Sequence, residues 1–489
     1  MEKLTDNQSK VEVWLKDMER RVEPTWKRLG LPEAPDVMES GREIGIIILD
    51  NIIPHKLVQH LEGRLKQVKV AEDGSVSCLD VASEEPQPMN GAVEHGMMTL
   101  QLLSHLPIEM NGHSHVGLIP AATFIMLSEY EPKKIEEGLT WILERQEEWN
   151  VQILLNLMVP NTREMGAMKL TAEDPLVQAM QPALQAGLLI VAANGNTLAH
   201  NNLHPSDFLV VGGYDDCGAS DPQLHRRHSA VPWGMNGDGN VRPDVLAPFS
   251  YLPVPYCEVK SSQRVFSFFG GSCGAAALVT GVCAKLLARY PELDVQSLKR
   301  MLVQNGDLLL NEAIPAMKIN FSKAVEKMGI VLRGQDPYSI APEKESVAVV
   351  MRARTLTELI EEKKITREEL WQQLNDESPV VRKTVISYGL KAPMNELERK
   401  KYWDYFRTSQ REDGERIAWL YQLLINAPSG ELDQWMELLN EQELEITLCV
   451  KIYLGMNFSD APEIPYHPDP DPEFIALTTN SVLDWYKEK

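Results

Sequence analysis

The feature that most constrains the fold is a series of short apolar runs that alternates with helical patterns between residues 41 and 330. The runs are continuous rather than broken by alternating polar residues, and turn residues bound them. Strands of this kind, separated by helices, are typical of a parallel sheet that is covered by helices on both faces. We therefore predict an α/β domain over 41–330, with strands at 46–49, 116–119, 151–157, 188–192 and 208–211.

The segment before this domain, residues 1–40, has a helical pattern. Apolar residues recur there at three- to four-residue steps, which predicts one amphipathic helix within 10–30 that docks as a lid or brace. The residues of this stripe are Val11, Trp14, Met18, Val22 and Trp26.

The segment after the domain reads as a linker followed by helices. Residues 331–345 carry Pro, Gly, Ser and charged residues without periodicity, so we predict a linker there. Residues 346–489 are predicted to form an all-α domain: Thr366 to Glu369 have the spacing of a capping box, and a second helix is predicted to begin at Ser378-Pro379. This hairpin resembles one helical repeat of the HEAT type, but an ordinary helical hairpin gives the same pattern.

Charge and cysteine content exclude several classes of partner. The formal net charge of −22 over 489 residues repels phosphate backbones and anionic membranes, so nucleic acid and membrane are not expected as partners.

No charged leader with an apolar run opens the sequence, and no uninterrupted apolar stretch reaches about 18 residues. Six scattered cysteines without a CxxC pair favour neither a zinc site nor a disulfide framework. We expect a cytoplasmic protein without metal or cofactor.

Three polar residues of the α/β domain occupy positions where chemistry is common. Asp50 ends an apolar strand, so its carboxylate lies at the carboxyl edge of the sheet, where open α/β folds place their sites. His95 stands at the start of a helical run, and Asn196 follows a strand at a turn that Gly195 permits. Each residue alone also fits an ordinary structural role: a helix cap, a satisfied histidine and a loop amide.

Two candidate nucleophiles stand side by side in the stretch FGGSCGAAALVTG. Ser272 and Cys273 precede a helix so rich in Gly and Ala that it must pack closely against the sheet. A helix N-terminus favours an anion, because its free N–H groups and its dipole attract negative charge. This stretch is therefore a candidate site for an activated nucleophile.

These motifs, taken in order, resemble those of the subtilase family of peptidases. IIILDN and EHGMM are similar to the blocks around that family's catalytic Asp and His, and HVGLIPAA is similar to the segment after the His. GLLIVAANGN resembles the strand that ends in the oxyanion-hole Asn, while RPDVLAP and GSCGAAALVTG resemble the last two blocks. The resemblance covers the whole of 41–330 and implies a subtilisin-like parallel sheet flanked by helices.

The resemblance implies a role for each candidate residue. Asp50 becomes the orienting carboxylate, His95 the general base and Asn196 the oxyanion donor. A gapless alignment from Gly to Gly of the nucleophile block puts Cys273 at the family's serine position. Ser272 remains the alternative nucleophile. Three departures from the family pattern, which put substrate fit in doubt, are Glu94, Met98 and Ala277.

The implied activity is cleavage of peptide bonds by acyl transfer, in an intracellular endopeptidase that a partner protein or the helical tail regulates. Asn156, Leu157 and Met158 stand where the family has a substrate-binding edge, so we expect them to contact the peptide. Two alternatives stay open: a ligase or transpeptidase that works through a thioester, and an inactive scaffold that binds partners through the subtilase-like domain and the tail.

Overall fold

The structure is a computed structural model, and its description is confined to part of the chain. The described residues are 21–88, 92–110, 112–158, 167–169, 173–196, 201–226, 228, 231, 233–236, 240–255, 266–307, 309, 316–331, 352, 353, 355, 356, 358–360, 362–390, 393, 395–409, 415–425, 427–441, 444–462 and 472–489.

Seventeen strands lie in the described part of the α/β region. They are β1 Gly45–Leu49, β2 Leu65–Val70, β3 Val76–Asp80, β4 Ile108–Met110, β5 His113–His115, β6 Thr123–Leu127, β7 Val151–Asn156, β8 Ala167–Lys169, β9 Leu189–Ala193, β10 Asn201–Leu203, β11 Leu209–Tyr214, β12 Gly234–Met235, β13 Val241–Arg242, β14 Val245–Pro248, β15 Leu252–Pro255, β16 Phe266–Phe269 and β17 Met317–Lys318.

The described helices of the same region are α1 Thr25–Arg28, α2 Ala92–Ser104, α3 Pro132–Leu143, α4 Gln146–Trp149, α5 Pro175–Ala179, α6 Gln181–Gln185, α7 Gly271–Arg289, α8 Val295–Gln304 and α9 Phe321–Val331. Short 3-10 helices occupy Lys56–Leu61, Val81–Ser83 and Pro222–Leu224.

Nine strands form one sheet in the order β17-β14-β11-β9-β7-β1-β6-β2-β3, in which every pair is parallel except β2 with β3. Alternate residues of β1 enter different hydrophobic clusters: Ile46 and Ile48 join α7, whereas Ile47 and Leu49 join α3. Because both faces of the sheet are covered, a strand needs apolar residues at every position. The predicted parallel sheet flanked by helices is confirmed.

Four of the five predicted strands correspond to β1, β7, β9 and β11, and the fifth is wrong. The run Val116–Ile119 forms no strand and follows β5 as a buried segment. Its N–H groups bond to carbonyl groups at the end of α2: Leu118 N donates to Leu102 O at 3.1 Å, and Ile119 N donates to Leu103 O at 2.7 Å. The run is apolar because it packs beneath α7, which a pattern of hydrophobicity cannot distinguish from a sheet position.

Helix α7 is the central helix of one face, and its small residues allow close packing. A Cβ atom at Gly281 would lie 2.6 Å from Leu118 Cδ1. By length and composition alone α7 could cross a membrane, and among the described helices it is the one with this property. However, 89% of its apolar window is buried within the protein, as in the core helix of a folded domain.

The predicted N-terminal helix is interrupted. Residue 21 is helical, residues 22–24 are not, and a short helix, α1, follows. Pro24 accounts for the break, because proline lacks an N–H donor and disfavours helical backbone in the residue before it. The expectation that this segment docks is confirmed for its described part, since Val22 is 1% exposed and Trp26 packs against the main core. The rest of the predicted helix lies outside the described residues.

The C-terminal region is helical, as predicted. Its described helices are α10 Arg367–Gln373, α11 Pro379–Thr384, α12 Glu396–Thr408, α13 Glu415–Leu424, α14 Leu432–Leu438, α15 Leu444–Asn457 and α16 Pro472–Lys487. Residues Val385–Gly389 continue α11 as a π-helical turn, and 3-10 turns occupy Ser429–Glu431 and Leu439–Glu441. The capping box before α10 and the start of α11 at Pro379 are both confirmed.

These helices pack against the sheet domain through a shared hydrophobic cluster. Tyr214, Leu246 and Phe249 of the sheet region belong to the same buried cluster as the tail residues. The ammonium group of Lys383 lies 3.8 Å from the centre of the Trp233 ring and also donates to Trp233 O. The domain boundaries and the linker at 331–345, which lies outside the described residues except for residue 331, remain predictions.

Candidate active site

The carboxylate of Asp50 and the imidazole of His95 form a hydrogen-bonded pair at the carboxyl edge of the sheet. Asp50 directly follows β1, and His95 lies in the first turn of α2. Asp50 Oδ2 is 2.7 Å from His95 Nδ1, and Asp50 Oδ1 accepts a hydrogen bond from Asn51 N at 2.7 Å. Both carboxylate oxygens are therefore engaged, which fixes the orientation of the imidazole ring.

A second group of polar residues holds the backbone of Asp50. Ser128 Oγ donates to Asp50 O at 3.1 Å, and Gln67 Nε2 donates to Ser128 Oγ at 3.0 Å. Gln67 Nε2 also donates to Ile52 O at 2.6 Å. No sequence pattern pointed to Gln67 or Ser128, because neither stands beside a motif residue in the chain.

Gly96 allows His95 to approach Asp50. A Cβ atom at Gly96 would lie 1.8 Å from Asn51 O and 3.2 Å from Asp50 Cγ. Any side chain at this position would therefore displace the strand end that carries Asp50. The glycine after His95 was the available sequence signal for this contact.

Cys273 lies beside His95, near enough to affect the pKa of its imidazole. It lies in the first turn of α7 and is 8% exposed. Burial disfavours the imidazolium, but the hydrogen bonds of His95 with Asp50 and Cys273, together with their charges, outweigh it and raise the pKa of His95 to about 10. The ring of Phe269 meets the imidazole edge-to-face at 5.4 Å. The structure thus brings together the three residues that were predicted to form the triad.

Ser272 makes a different set of contacts. Its hydroxyl donates to Asn196 Oδ1 at 3.0 Å and accepts a hydrogen bond from Gly195 N at 3.1 Å. The residue is fully buried. Because its only O–H group donates to Asn196, Ser272 orients the amide of Asn196. These contacts do not place it as a partner of His95.

The contacts of Asn196 determine which atom of its amide can act on a substrate. Asn196 Oδ1 accepts from Ser272 N at 2.8 Å as well as from the Ser272 hydroxyl. A backbone N–H can only donate, so its partner must be the amide oxygen, and Nδ2 is left as the donor. Gly271 has φ +85°, and a Cβ atom there would lie 3.0 Å from Asn196 Oδ1. A glycine is therefore required beside the amide.

The predicted substrate-binding edge lies at the end of β7, between the strands that carry Asp50 and Asn196. Asn156 is in register with Leu49 of β1 and with Ala192 of β9. It is fully buried, and its Oδ1 accepts from Met158 N at 3.1 Å. Within the described chain its amide nitrogen has no hydrogen-bond partner. The three predicted residues are adjacent to the site, and their role in binding a peptide remains a prediction.

No metal is implied by the residues around this site. Within the described ranges, no three His, Cys, Asp or Glu side chains are placed to hold a metal ion together. The chemistry available to the described site is that of a carboxylate–imidazole–thiol series with two donors, Asn196 Nδ2 and the backbone N–H at the start of α7.

Comparison with known proteins gives a family match and a curated relative. Residues 161–324 match the model of the subtilase family. The serine protease AprX of Bacillus subtilis (strain 168) is 27% identical over 296 residues, which are 55% of this chain. The chain spans 62% of the length of AprX.

Solved structures with which this chain aligns include two proteases. The protease domain of PatA has a TM-score of 0.43 and 17% identity, over 62% of this chain and 99% of that domain. Fervidolysin from Fervidobacterium pennivorans has a TM-score of 0.42 and 15% identity, over 59% of this chain and 43% of that protein.

Proposed function

We propose that this chain, whose residues 161–324 match the subtilase family model, cleaves peptide bonds by acyl transfer through Asp50, His95 and Cys273. The observation that carries the proposal is the position of His95 between its two partners. Nδ1 of the ring is 2.7 Å from Asp50 Oδ2, and the Cys273 thiol is near enough to help raise the pKa of the imidazole. A nucleophile, a base and a residue that orients the base are the groups that this chemistry requires.

The proposed reaction has two steps. His95 holds the proton of Cys273 as an imidazolium, and Sγ attacks the carbonyl carbon of the substrate, whose oxygen becomes an oxyanion. The C–N bond then breaks, His95 returns the proton to the leaving amine, and a thioester remains. In the second step His95 takes a proton from water, which attacks the thioester and releases the acid together with the free thiol.

The oxyanion would lie between Asn196 Nδ2 and the backbone N–H of Cys273. The first donor is available because Ser272 occupies the oxygen side of the Asn196 amide. One donor of this kind contributes about 3 kcal/mol to stabilisation of the transition state. In this proposal Cys273 is the nucleophile and Ser272 a positioning residue for Asn196.

The test compares two adjacent substitutions, Cys273→Ala and Ser272→Ala, with the unchanged chain. Turnover is measured on a pool of peptide p-nitroanilides, and the labelled residue is identified by mass spectrometry after reaction with a peptidyl chloromethyl ketone. We expect Cys273→Ala to lower turnover by at least ~100-fold and to abolish labelling at that position. Ser272→Ala should lower turnover by only ~3- to 10-fold, because the backbone bond to Asn196 Oδ1 is kept.

Full turnover in Cys273→Ala together with its loss in Ser272→Ala would show that Ser272 is the nucleophile. If the unchanged chain has no turnover and takes up no label, the scaffold alternative replaces the peptidase. Addition of a peptide amine to the assay separates hydrolysis from ligation, because a thioester that is attacked by the amine gives a longer peptide in place of the free acid.

The proposal extends to the helical tail, which we infer to be an array of stacked hairpins. Arg367 Nε donates to Glu398 at 2.6 Å, and Arg399 Nη2 donates to Glu431 at 2.6 Å, at separations of 31 and 32 residues. A second series joins Arg382 of α11 with Glu415 of α13, and Arg416 of α13 with Glu441 in the 3-10 turn after α14. Contacts that recur from one hairpin to the next support a repeat array.

Extended helical arrays offer long surfaces for protein binding, so a regulatory protein is proposed to bind the tail. A cytoplasmic location, which is supported by the scattered cysteines of the sequence, belongs to the same proposal.

A further inference from the structure

Arg28, far from the active site in sequence, has a buried guanidinium group with four hydrogen bonds. Its side chain is 0% exposed, as is that of its partner Asp216. Nε and Nη2 donate to the two oxygens of Asp216 at 2.6 and 2.7 Å. The remaining bonds go to backbone carbonyls: Nη2 donates to Ser250 O at 2.6 Å, and Nη1 donates to Tyr251 O at 2.8 Å.

The two carbonyls belong to a turn that is bonded on both sides to the segment leading into Cys273. Before the turn, Phe249 O accepts a hydrogen bond from Gly271 N at 2.9 Å. After the turn, Leu252 pairs with Phe269 in the antiparallel hairpin of β15 and β16. The turn at residues 250–251 therefore fixes the backbone immediately before the nucleophile.

The turn adopts a conformation that needs an external partner. Tyr251 has φ +55°, in the left-handed region that residues with a Cβ atom rarely adopt. The bond from Arg28 to Tyr251 O is made to this residue, and the Tyr251 side chain is buried in a small cluster with Val22 and Met110. A residue keeps an unfavourable backbone conformation where several surrounding contacts hold it in place.

The segment that carries Arg28 is itself anchored by bonds at both ends. Glu23 N donates to Gly218 O at 2.8 Å, and Ser220 N donates to Glu23 Oε2 at 2.6 Å. Trp26 Nε1 donates to Ser114 O at 3.2 Å. The backbone that carries the Arg28 side chain is therefore held in place. A shift of the guanidinium would move the turn at residues 250–251.

We propose that Arg28 is a positioning residue for Cys273: through the carbonyls of Ser250 and Tyr251 it holds the Cys273 thiol and backbone N–H in line with His95 and Asn196. This inference rests on the proposed function, because it gives Arg28 a role in the same acyl transfer. It assigns to the N-terminal segment a contribution to turnover in addition to its packing.

The test is Arg28→Lys, which keeps a positive charge but cannot make the four bonds of a guanidinium. The matched control is Arg416→Lys, because Arg416 is also a buried arginine with a glutamate partner, Glu441, but belongs to the tail. Each full-length variant is assayed at a temperature at which its thermal unfolding curve shows it folded. The readouts are kcat, KM and the rate at which iodoacetamide alkylates Cys273, followed by mass spectrometry.

We expect Arg28→Lys to lower kcat by at least ~10-fold with KM within ~3-fold, and to slow alkylation of Cys273 by at least ~5-fold. Arg416→Lys should leave all three values within ~2-fold. Should Arg28→Lys fail to fold, Asp216→Asn decides, because it weakens the anchor of Arg28 and should lower kcat and the alkylation rate by ~2- to 5-fold.

The proposal is overturned if the folded Arg28→Lys variant, or Asp216→Asn in its place, keeps both kcat and the alkylation rate, or if Arg416→Lys lowers them equally. Failure of the proposed function gives a different result. In that case the unchanged chain does not turn over substrate, while alkylation of Cys273 still reports whether Arg28 positions it.

Discussion

At the scale of single residues, the site depends on small groups that leave room and on polar groups that are fully engaged. Gly96 leaves room for Asn51 O, and Gly271 leaves room for the Asn196 amide. A Cβ atom at either glycine would be too close to that neighbour. The hydroxyl of Ser272 both donates and accepts, which leaves the Cys273 thiol as the neighbouring group that contacts His95. The two adjacent candidate nucleophiles therefore differ in their surroundings, since Ser272 contacts the Asn196 amide and Cys273 lies beside His95.

The raised pKa of His95 leads to a prediction at this scale. Asp50 and Cys273 are the groups that raise it to about 10 against the opposing effect of burial, so Cys273→Ala should lower it. Titration of His95 by NMR in the full chain measures the shift. Cys283→Ala serves as a control, because it removes a buried thiol from the same helix, further from His95 along the chain. An unchanged pKa in Cys273→Ala would contradict the thiol contact.

This shift also has a defined effect on stability. A histidine whose pKa is raised in the folded state stabilises it fully below the unfolded value of about 6.5. That contribution is lost as the pH rises from about 6.5 through about 10. Cys273→Ala should make this loss with rising pH smaller.

At the scale of elements, the hairpin of β15 and β16 connects the sheet to α7, the helix whose first turn holds Cys273. Gly271 N bonds back to Phe249 O at the end of β14, so α7 begins where the sheet edge fixes it. The tail helices contact the sheet region around Trp233 and Phe249. The tail is thus attached to the sheet domain by packing as well as through the chain.

This packing leads to a prediction about the tail. Limited proteolysis should cut within 331–345, where the sequence carries Pro, Gly, Ser and charge without periodicity. The two fragments should then elute together from a sizing column, because they share a hydrophobic cluster. Lys383→Ala, which removes the contact with Trp233, should increase the fraction that separates. If no cut occurs in 331–345, the predicted linker is wrong; if the fragments separate freely, the shared cluster does not hold them together.

At the scale of the whole molecule, several buried histidines make folding sensitive to acid. Burial lowers the pKa of His105 and of His115 to about 4 and that of His204 to about 3. His105 and His115 lie near each other, since the charge of His105 adds to the lowering of the pKa of His115, and His204 follows β10. A buried neutral histidine must take up a proton when the chain unfolds below about pH 6.5, which favours the unfolded state.

The predicted consequence is a loss of stability as the pH falls from about 6.5 to 4. Unfolding by urea at a series of pH values measures the slope, to which each such histidine contributes up to ~1.4 kcal/mol per pH unit. His115→Leu should reduce the slope by up to ~1.4 kcal/mol per pH unit, which is the effect of one proton. His113→Leu, at an exposed position of the same strand, should leave the slope unchanged. Equal slopes in all three proteins would show that His115 takes up no proton on unfolding.

The sequence by itself was sufficient for features that depend on neighbouring residues. Continuous apolar runs between helical patterns predicted β1, β7, β9 and β11, because a strand covered on both faces must be apolar throughout. The capping box at Thr366 predicted the start of α10, because its hydrogen bonds join residues three apart. The order of the motifs resembles that of the subtilase family. This resemblance selected Asp50, His95 and Cys273, which lie close together in the structure.

Only the tertiary structure could decide features that depend on contacts between distant parts of the chain. The bond between Arg28 and Asp216 joins residues 188 apart, and that between Ser272 and Asn196 joins residues 76 apart. No local pattern indicates such a partner. Val116–Ile119 was mistaken for a strand for the same reason: hydrophobicity reports that a residue is buried, and the partner that buries it, here α7 rather than a neighbouring strand, is set by how the whole chain packs.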